Sequence, residues 1–398
     1  MAFDNPPKIC YTNPINNSHR GAHMSYKIEH IDTKRLWKGF FPCADIMSDD
    51  GRILVGAGDS LADGHDRGVS AGLGSYSLYS SDKGDTWEMI RPCIYPGMVR
   101  FSDGKYFSQA FGSIAVKQFD KDVQEKIPYV MKKYVADSFD QILDGKVQIE
   151  FECVDIPELA VGFGDSQDPD EWATGYCGTG AAELDNGDIL LPMYGHFKQD
   201  RTKLDYFKKY DFYQYRTWIL VSHDRGKTFE YLSTVADCQT YPWNPEAEGF
   251  CEPSLLNLGD GHVLCAMRTQ GHEVYSPMYA SHSYDNGKTW SRPEEISPFG
   301  VYPRLLRMQN GLIVCTSGKW DTFFLVSEDE GLTWSERHII AENDGQWDRG
   351  PSGYTSVFEV EPDVLLVVYD TTEDRVSDFP NPYDRRVVYA TRYRITRR

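Results

Sequence analysis

Ser283-Tyr-Asp-Asn-Gly-Lys-Thr-Trp290 is one of four copies of a single turn. The others are Ser80-Ser-Asp-Lys-Gly-Asp-Thr-Trp87, Ser222-His-Asp-Arg-Gly-Lys-Thr-Phe229 and Ser327-Glu-Asp-Glu-Gly-Leu-Thr-Trp334, all with the spacing S-x-D-x-G-x-T-[FW]. In such an octapeptide the Asp can accept hydrogen bonds from turn amides, the Gly supplies a positive φ, and the closing aromatic ring packs between neighbouring sheets. The turn is therefore a folding device and carries no catalytic signal.

Outward from each copy the pattern is that of short β-strands. Gly51-Arg-Ile-Leu-Val, Gly187-Asp-Ile-Leu-Leu, Gly261-His-Val-Leu-Cys and Gly311-Leu-Ile-Val-Cys each read as the second strand of a hairpin, opened by an Asp-Gly or Asn-Gly turn and followed by a third strand that runs into the octapeptide. The opening serines are separated by 222 − 80 = 142, 283 − 222 = 61 and 327 − 283 = 44 residues, so the first interval has room for one unit without the turn. That unit starts near Met98, and a sixth runs from Ser352 to the end. Four copies at one point of a strand-turn-strand unit indicate a repeat architecture.

The octapeptides are similar to the Asp boxes of the sialidase superfamily. The resemblance implies an all-β fold, a six-bladed β-propeller of four-stranded antiparallel blades. Ring closure would pair Tyr26-Lys-Ile-Glu-His-Ile with Arg386-Val-Val-Tyr-Ala-Thr-Arg-Tyr-Arg-Ile, leaving residues 1–24 as an N-terminal extension and 25–398 as one domain.

Composition bounds the function. Of the 398 residues 40% are hydrophobic and 14% aromatic, enough to bury a core and to exclude a disordered chain. The formal charge, 41 − 60 = −19, repels nucleic acid, and there is no local run of Lys or Arg to offset it. No stretch approaches the roughly 20 apolar residues of a membrane span, and Met1-Ala-Phe-Asp-Asn-Pro-Pro lacks the basic and apolar regions of a secretory signal. Nine cysteines without a C-x-x-C pair indicate neither a zinc site nor a disulfide framework, so reduced thiols, a cytoplasmic location and no cofactor or metal are the expectation.

Candidate site residues lie where the innermost strands begin. Glu252 is followed 16 residues later by Arg268, a spacing similar to the sialidase segment in which a glutamate opens an inner strand and an arginine ends the next. Tyr354, in Gly350-Pro-Ser-Gly-Tyr354, stands where sialidases carry a nucleophilic tyrosine. A phenol with a pKa near 10 needs a base to take its proton, for which Glu252 is the candidate. The leaving group needs an acid, expected at Asp66 or Asp63 in the loop after Gly58.

The arginine triad with which sialidases hold a substrate carboxylate is incomplete. Its first member belongs to an Arg-Ile-Pro run, and the corresponding segment here is Gly39-Phe40-Phe41-Pro42. Arg268 matches the second, and Lys319 stands at the third with a single charge and no fork. Arg304 is a substitute, with Arg307, Arg216 and Arg349 behind it. Phe41 and Trp320 are stacking faces, as are Phe40, Trp347 and Tyr194, and Asp370 is a further substrate contact. The aromatic stretch Thr202–Tyr215 reads equally as a lid, a subsite wall or an oligomer contact, and the oligomeric state is open. His65, His196 and His272 fall on expected loops.

Three functions follow. The first is an exo-acting, sialidase-type glycoside hydrolase with Tyr354 as nucleophile, Glu252 as base and Asp66 or Asp63 as acid. The second is a hydrolase or lyase of the same fold acting on another glycan, such as a rhamnoside, an arabinan or a uronate polymer. The third is a non-catalytic carbohydrate-binding propeller. In each the partner is a carbohydrate.

Overall fold

Six antiparallel sheets follow one another along the chain, each beginning with the strand nearest the central axis. The computed structural model describes residues 25–58, 76–90, 97–109, 130–157, 159, 175–177, 179–197, 200, 214–238, 249–269, 277–343, 351–372 and 386–398. Asp63, Asp66, His65, His272, Trp347, Arg349 and the N-terminal 24 residues lie outside them, as does Thr202–Tyr213 of the aromatic stretch.

Blade one comprises Phe40–Met47, Ile53–Gly58, Tyr76–Ser80 and Glu88–Ile90. Blade two comprises Val99–Arg100, Tyr106–Gln109, Val130–Ala136 and Gln148–Cys153, with no octapeptide, as its position in the long interval requires. In blade three the innermost position is shared by Gly175–Cys177 and Ala182–Glu183, which both pair with Ile189–Gly195; Arg216–Ser222 and Glu230–Ala236 complete the sheet. Blade four runs Phe250–Gly259, His262–Thr269, Met278–Ser283 and Glu294–Ser297, and blade five Arg304–Arg307, Ile313–Ser317, Thr322–Ser327 and His338–Ala341.

Blade six closes the ring. Thr355–Glu361, Val364–Thr372 and Arg386–Arg397 come from the end of the chain, and Tyr26–Lys38 supplies the outermost strand. The register runs from Tyr26 opposite Arg397 to Lys38 opposite Val387, the pairing expected from the sequence. One short helix, Phe139–Leu143, interrupts the β-structure of blade two among the described residues, capped by the Ser138 hydroxyl accepting from the Gln141 amide.

Each octapeptide joins the third and fourth strands of its blade. In the copy opened by Ser283, the Asp285 carboxylate accepts from the Thr289 amide at 2.8 Å and from its hydroxyl at 2.6 Å. The Ser283 hydroxyl donates to Asp285 and accepts from the Gly287 amide, both at 2.8 Å. The other three copies repeat these bonds. Gly84, Gly226, Gly287 and Gly331 all have φ between 79° and 89°, as a glycine at the fifth position should. The core lies between adjacent sheets; Phe107, Met131, Trp218 and Phe229, for example, pack blade two on blade three. Cys43, Cys238, Cys251, Cys265 and Cys315 are buried free thiols.

Candidate active site

The first strand of every blade starts at the same end of the channel, and there the chain enters through a residue of positive φ. The six are Phe41, Gly97, Gly180, Glu252, Tyr302 and Gly353, with φ of 53°, 64°, 113°, 49°, 46° and 83°. Phe41, Glu252 and Tyr302 are L-residues, each followed by a proline, and each holds a conformation costing on the order of 1–2 kcal/mol. All three surround Tyr354.

A β-bulge presents Glu252. Cys251 pairs with Arg268, pairing resumes only at Ser254 with Ala266, and the two intervening residues leave the ladder. Glu252 is thereby beside Arg268 although the two are 16 positions apart in the sequence. Its carboxylate accepts the Tyr354 hydroxyl at 2.9 Å through Oε1, and through Oε2 the Tyr302 amide at 2.9 Å, with the Arg268 Nε at 3.2 Å. Three blades thus converge on one carboxylate.

Tyr354 is deep but partly accessible. Burial raises its phenol well above the ordinary value, the Glu252 charge adds to the shift, and Arg268 opposes it. The resting group is therefore a neutral phenol donating to a carboxylate. Its ring stacks on Tyr302 at 4.9 Å and meets the edge of Phe41 at 4.8 Å. Behind it Ser352 accepts the Tyr354 amide at 3.2 Å and donates to Asp370, which Arg386 holds at 2.8 Å. Asp370 is buried and occupied in supporting the backbone of Tyr354.

Arg304 faces across the channel. It pairs with Asp45 of blade one and donates to the Thr179 carbonyl of blade three at 3.0 Å. Burial raises the Asp45 carboxyl above the ordinary value, with Arg304 pulling the other way. Lys319 and Trp320 lie in the turn joining the second and third strands of blade five, where Gly318 packs so closely on Gly353 that a Cβ would come within 2.0 Å of the Gly353 Cα. Tyr194 is buried on blade three, its phenol raised by burial and by the Glu252 charge.

The structure brings together Tyr354, Glu252, Arg268 and Phe41 and turns Arg304 to internal partners. Arg216 is likewise taken up, donating to Asp200 at 2.8 Å and to Thr234 at 2.9 Å, with its guanidinium 4.6 Å above the Phe197 ring. Arg307 is exposed and donates to the Leu258 carbonyl at 2.9 Å. His196, expected on a loop, is buried and stacked on Tyr215 at 4.5 Å. The loop that carries Asp63 and Asp66 leaves from Gly58, which pairs with Phe40 at the channel mouth. Tyr302, Asp45 and Arg386 were not anticipated. A signal for Tyr302 exists in the sequence: Phe41-Pro42, Glu252-Pro253 and Tyr302-Pro303 occur at one phase of the repeat.

The BNR repeat-like domain family matches residues 167–302, which cover blades three and four. No curated protein sequence matches the chain. A protein of unknown function from Dyadobacter fermentans superposes with a TM-score of 0.60 at 17% identity, covering 93% of this chain and 99% of that one. A mutant of the NanB sialidase from Streptococcus pneumoniae gives 0.54 at 14% identity, over 90% of this chain and 68% of that one. An α-L-arabinofuranosidase mutant from Fusarium graminearum, bound to an iminosugar inhibitor, gives 0.53 at 13% identity over 92% and 98%. With its four boxes and six blades, the chain is a six-bladed β-propeller, a fold it shares with the sialidase-type BNR-repeat proteins. At these identities the structural likeness is one of fold.

Proposed function

We propose that the chain is a glycoside hydrolase that releases a terminal sugar through a covalent intermediate on Tyr354. The observation that carries this reading is the 2.9 Å hydrogen bond from the Tyr354 hydroxyl to Glu252 at the mouth of the channel. The glycosidase neighbours on this fold support the same class.

Attack by the Tyr354 oxygen on the anomeric carbon transfers its proton to Glu252 as the bond to the leaving oxygen breaks. Asp66 or Asp63 gives that oxygen its proton. In the second half the same aspartate takes a proton from water, the water attacks the glycosyl-tyrosine, and Glu252 returns its proton to the phenolate. The roles of Arg268 and the Tyr302 amide are to hold Glu252 in place and to stabilise its carboxylate before the proton arrives.

Aryl glycosides would be screened, then a 2-fluoro sugar with a good leaving group used to accumulate the intermediate. Mass spectrometry should find the sugar on the peptide containing Tyr354. Tyr354→Phe should remove turnover and Glu252→Gln should lower kcat about 100-fold or more. Full turnover in both variants would dismiss the mechanism, and an unsaturated product absorbing in the ultraviolet would identify a lyase instead.

A further inference from the structure

We infer that the sugar accepted by this site is uncharged at the ring that meets Tyr354, an inference about substrate class that rests on the proposed hydrolase reading. Three described arginines around the mouth are each matched to a carboxylate. Arg268 is 3.2 Å from Glu252, Arg304 pairs with Asp45, and Arg386 is 2.8 Å from Asp370. In all three pairs both side chains are at most 13% exposed, so these charges cancel locally, away from screening by solvent.

A carboxylate on the sugar would have to share one of these guanidinium groups with the carboxylate already on it. Binding at Arg268 would set a second anion beside Glu252, with both drawing on one guanidinium. Capture of Arg304 would orphan Asp45, which is 3% exposed, and break the bond to blade three. The chain as a whole carries −19, which adds no attraction for an anion. Lys319, in a turn, offers a point charge and lacks the paired donors that grip a carboxylate in plane.

The walls favour the same ligand. Phe41 and Tyr354 are partly exposed rings in edge contact at 4.8 Å, and the buried Tyr302 backs Tyr354 at 4.9 Å. Such a surface takes the C–H face of a neutral sugar, whose hydroxyls then find hydrogen-bond partners at the rim.

The test uses the full chain and matched aryl glycosides differing only in charge: galactoside against galacturonide, glucoside against glucuronide, with an arabinofuranoside and a sialoside alongside. Binding is measured separately by calorimetry on the Tyr354→Phe protein with the same sugars, at low and high salt. A neutral member should exceed its acidic counterpart by about 100-fold in kcat/KM and in affinity, the size expected for an uncompensated buried charge of a few kcal/mol. A galacturonide, glucuronide or sialoside preferred in either measurement overturns the inference and leaves the hydrolase reading standing. Tight binding of a neutral sugar without turnover by the unmodified protein keeps the inference and overturns the hydrolase. Failure of every neutral sugar to bind at millimolar concentration overturns the inference as well.

Discussion

Replacing Arg304 by Met tests how far one guanidinium holds the channel together. Arg304 joins blade five to Asp45 of blade one and to the Thr179 carbonyl of blade three. Arg304→Met keeps the length of the side chain and leaves the Asp45 carboxylate buried without its counter-ion. Breaking a buried pair from one side costs about 3–5 kcal/mol. The loss should depend on pH. Burial already raises the folded Asp45 carboxyl, and without Arg304 it rises further. Between the ordinary Asp value near 4 and the raised folded value, the folded state holds a proton that the unfolded chain has released. Stability then falls with rising pH by about 1.4 kcal/mol per unit, so the defect is smaller at pH 5 than at pH 8. Urea unfolding followed by tryptophan fluorescence at both pH values measures this. The double variant Arg304→Met/Asp45→Asn should regain most of the stability, because no charge is left to bury. A loss below about 1 kcal/mol in the single variant, or one equal at both pH values, would refute the reasoning.

Three further outcomes are expected. His196 is buried against Tyr215 and its imidazole is lowered to about 4, by burial, from an ordinary value near 6.5. The unfolded chain takes up a proton below pH 6.5 that the folded chain refuses until about 4, so about 3 kcal/mol should be lost over that interval; urea midpoints should show it, and His196→Gln should flatten that part of the profile. Gly353→Ala places a methyl 2.4 Å from Val301 Cγ1 at a φ of 83°, next to Tyr354. Steady-state kinetics should show kcat reduced about tenfold or more, with thermal melting reporting a loss of about 1–3 kcal/mol. Asp285→Ala removes the acceptor of two bonds from Thr289; Tm should fall by the equivalent of about 1–2 kcal/mol while kcat is retained.

The blades were legible because their marker is local. Ser283, Asp285, Gly287 and Thr289 satisfy one another within eight residues, so a linear pattern reports the turn whatever surrounds it. Closure by Tyr26–Lys38 could be read because propellers pair their two ends in one blade and a β-run stands at each. Tyr354 and Glu252 were found through spacing in a resemblance, since 102 residues separate them and no local pattern joins them. The fate of Arg304 could not be read at all. Its partners Asp45 and Thr179 are 259 and 125 residues away, and an arginine opening an inner strand looks the same whether it waits for a ligand or spans a channel. Asp370 was expected as a substrate contact; its burial and its pairing with Arg386 depend on which side of the strand faces inward, which no local pattern reports.

The boxes sit at the ends of the third strands, whereas Phe41, Glu252, Tyr302 and Gly353 sit at the beginnings of the first. In an antiparallel blade these are opposite ends of the sheet. The molecule is thus divided into a face that fastens and a face that carries the candidate site, with only the strands in common. Residues such as Phe41 or Lys319 can be exchanged while the four fasteners go on closing their turns unchanged. A lineage built this way can drift far in sequence and in chemistry and still fold, and the low identities to other propellers of the same shape are what such a separation would leave behind.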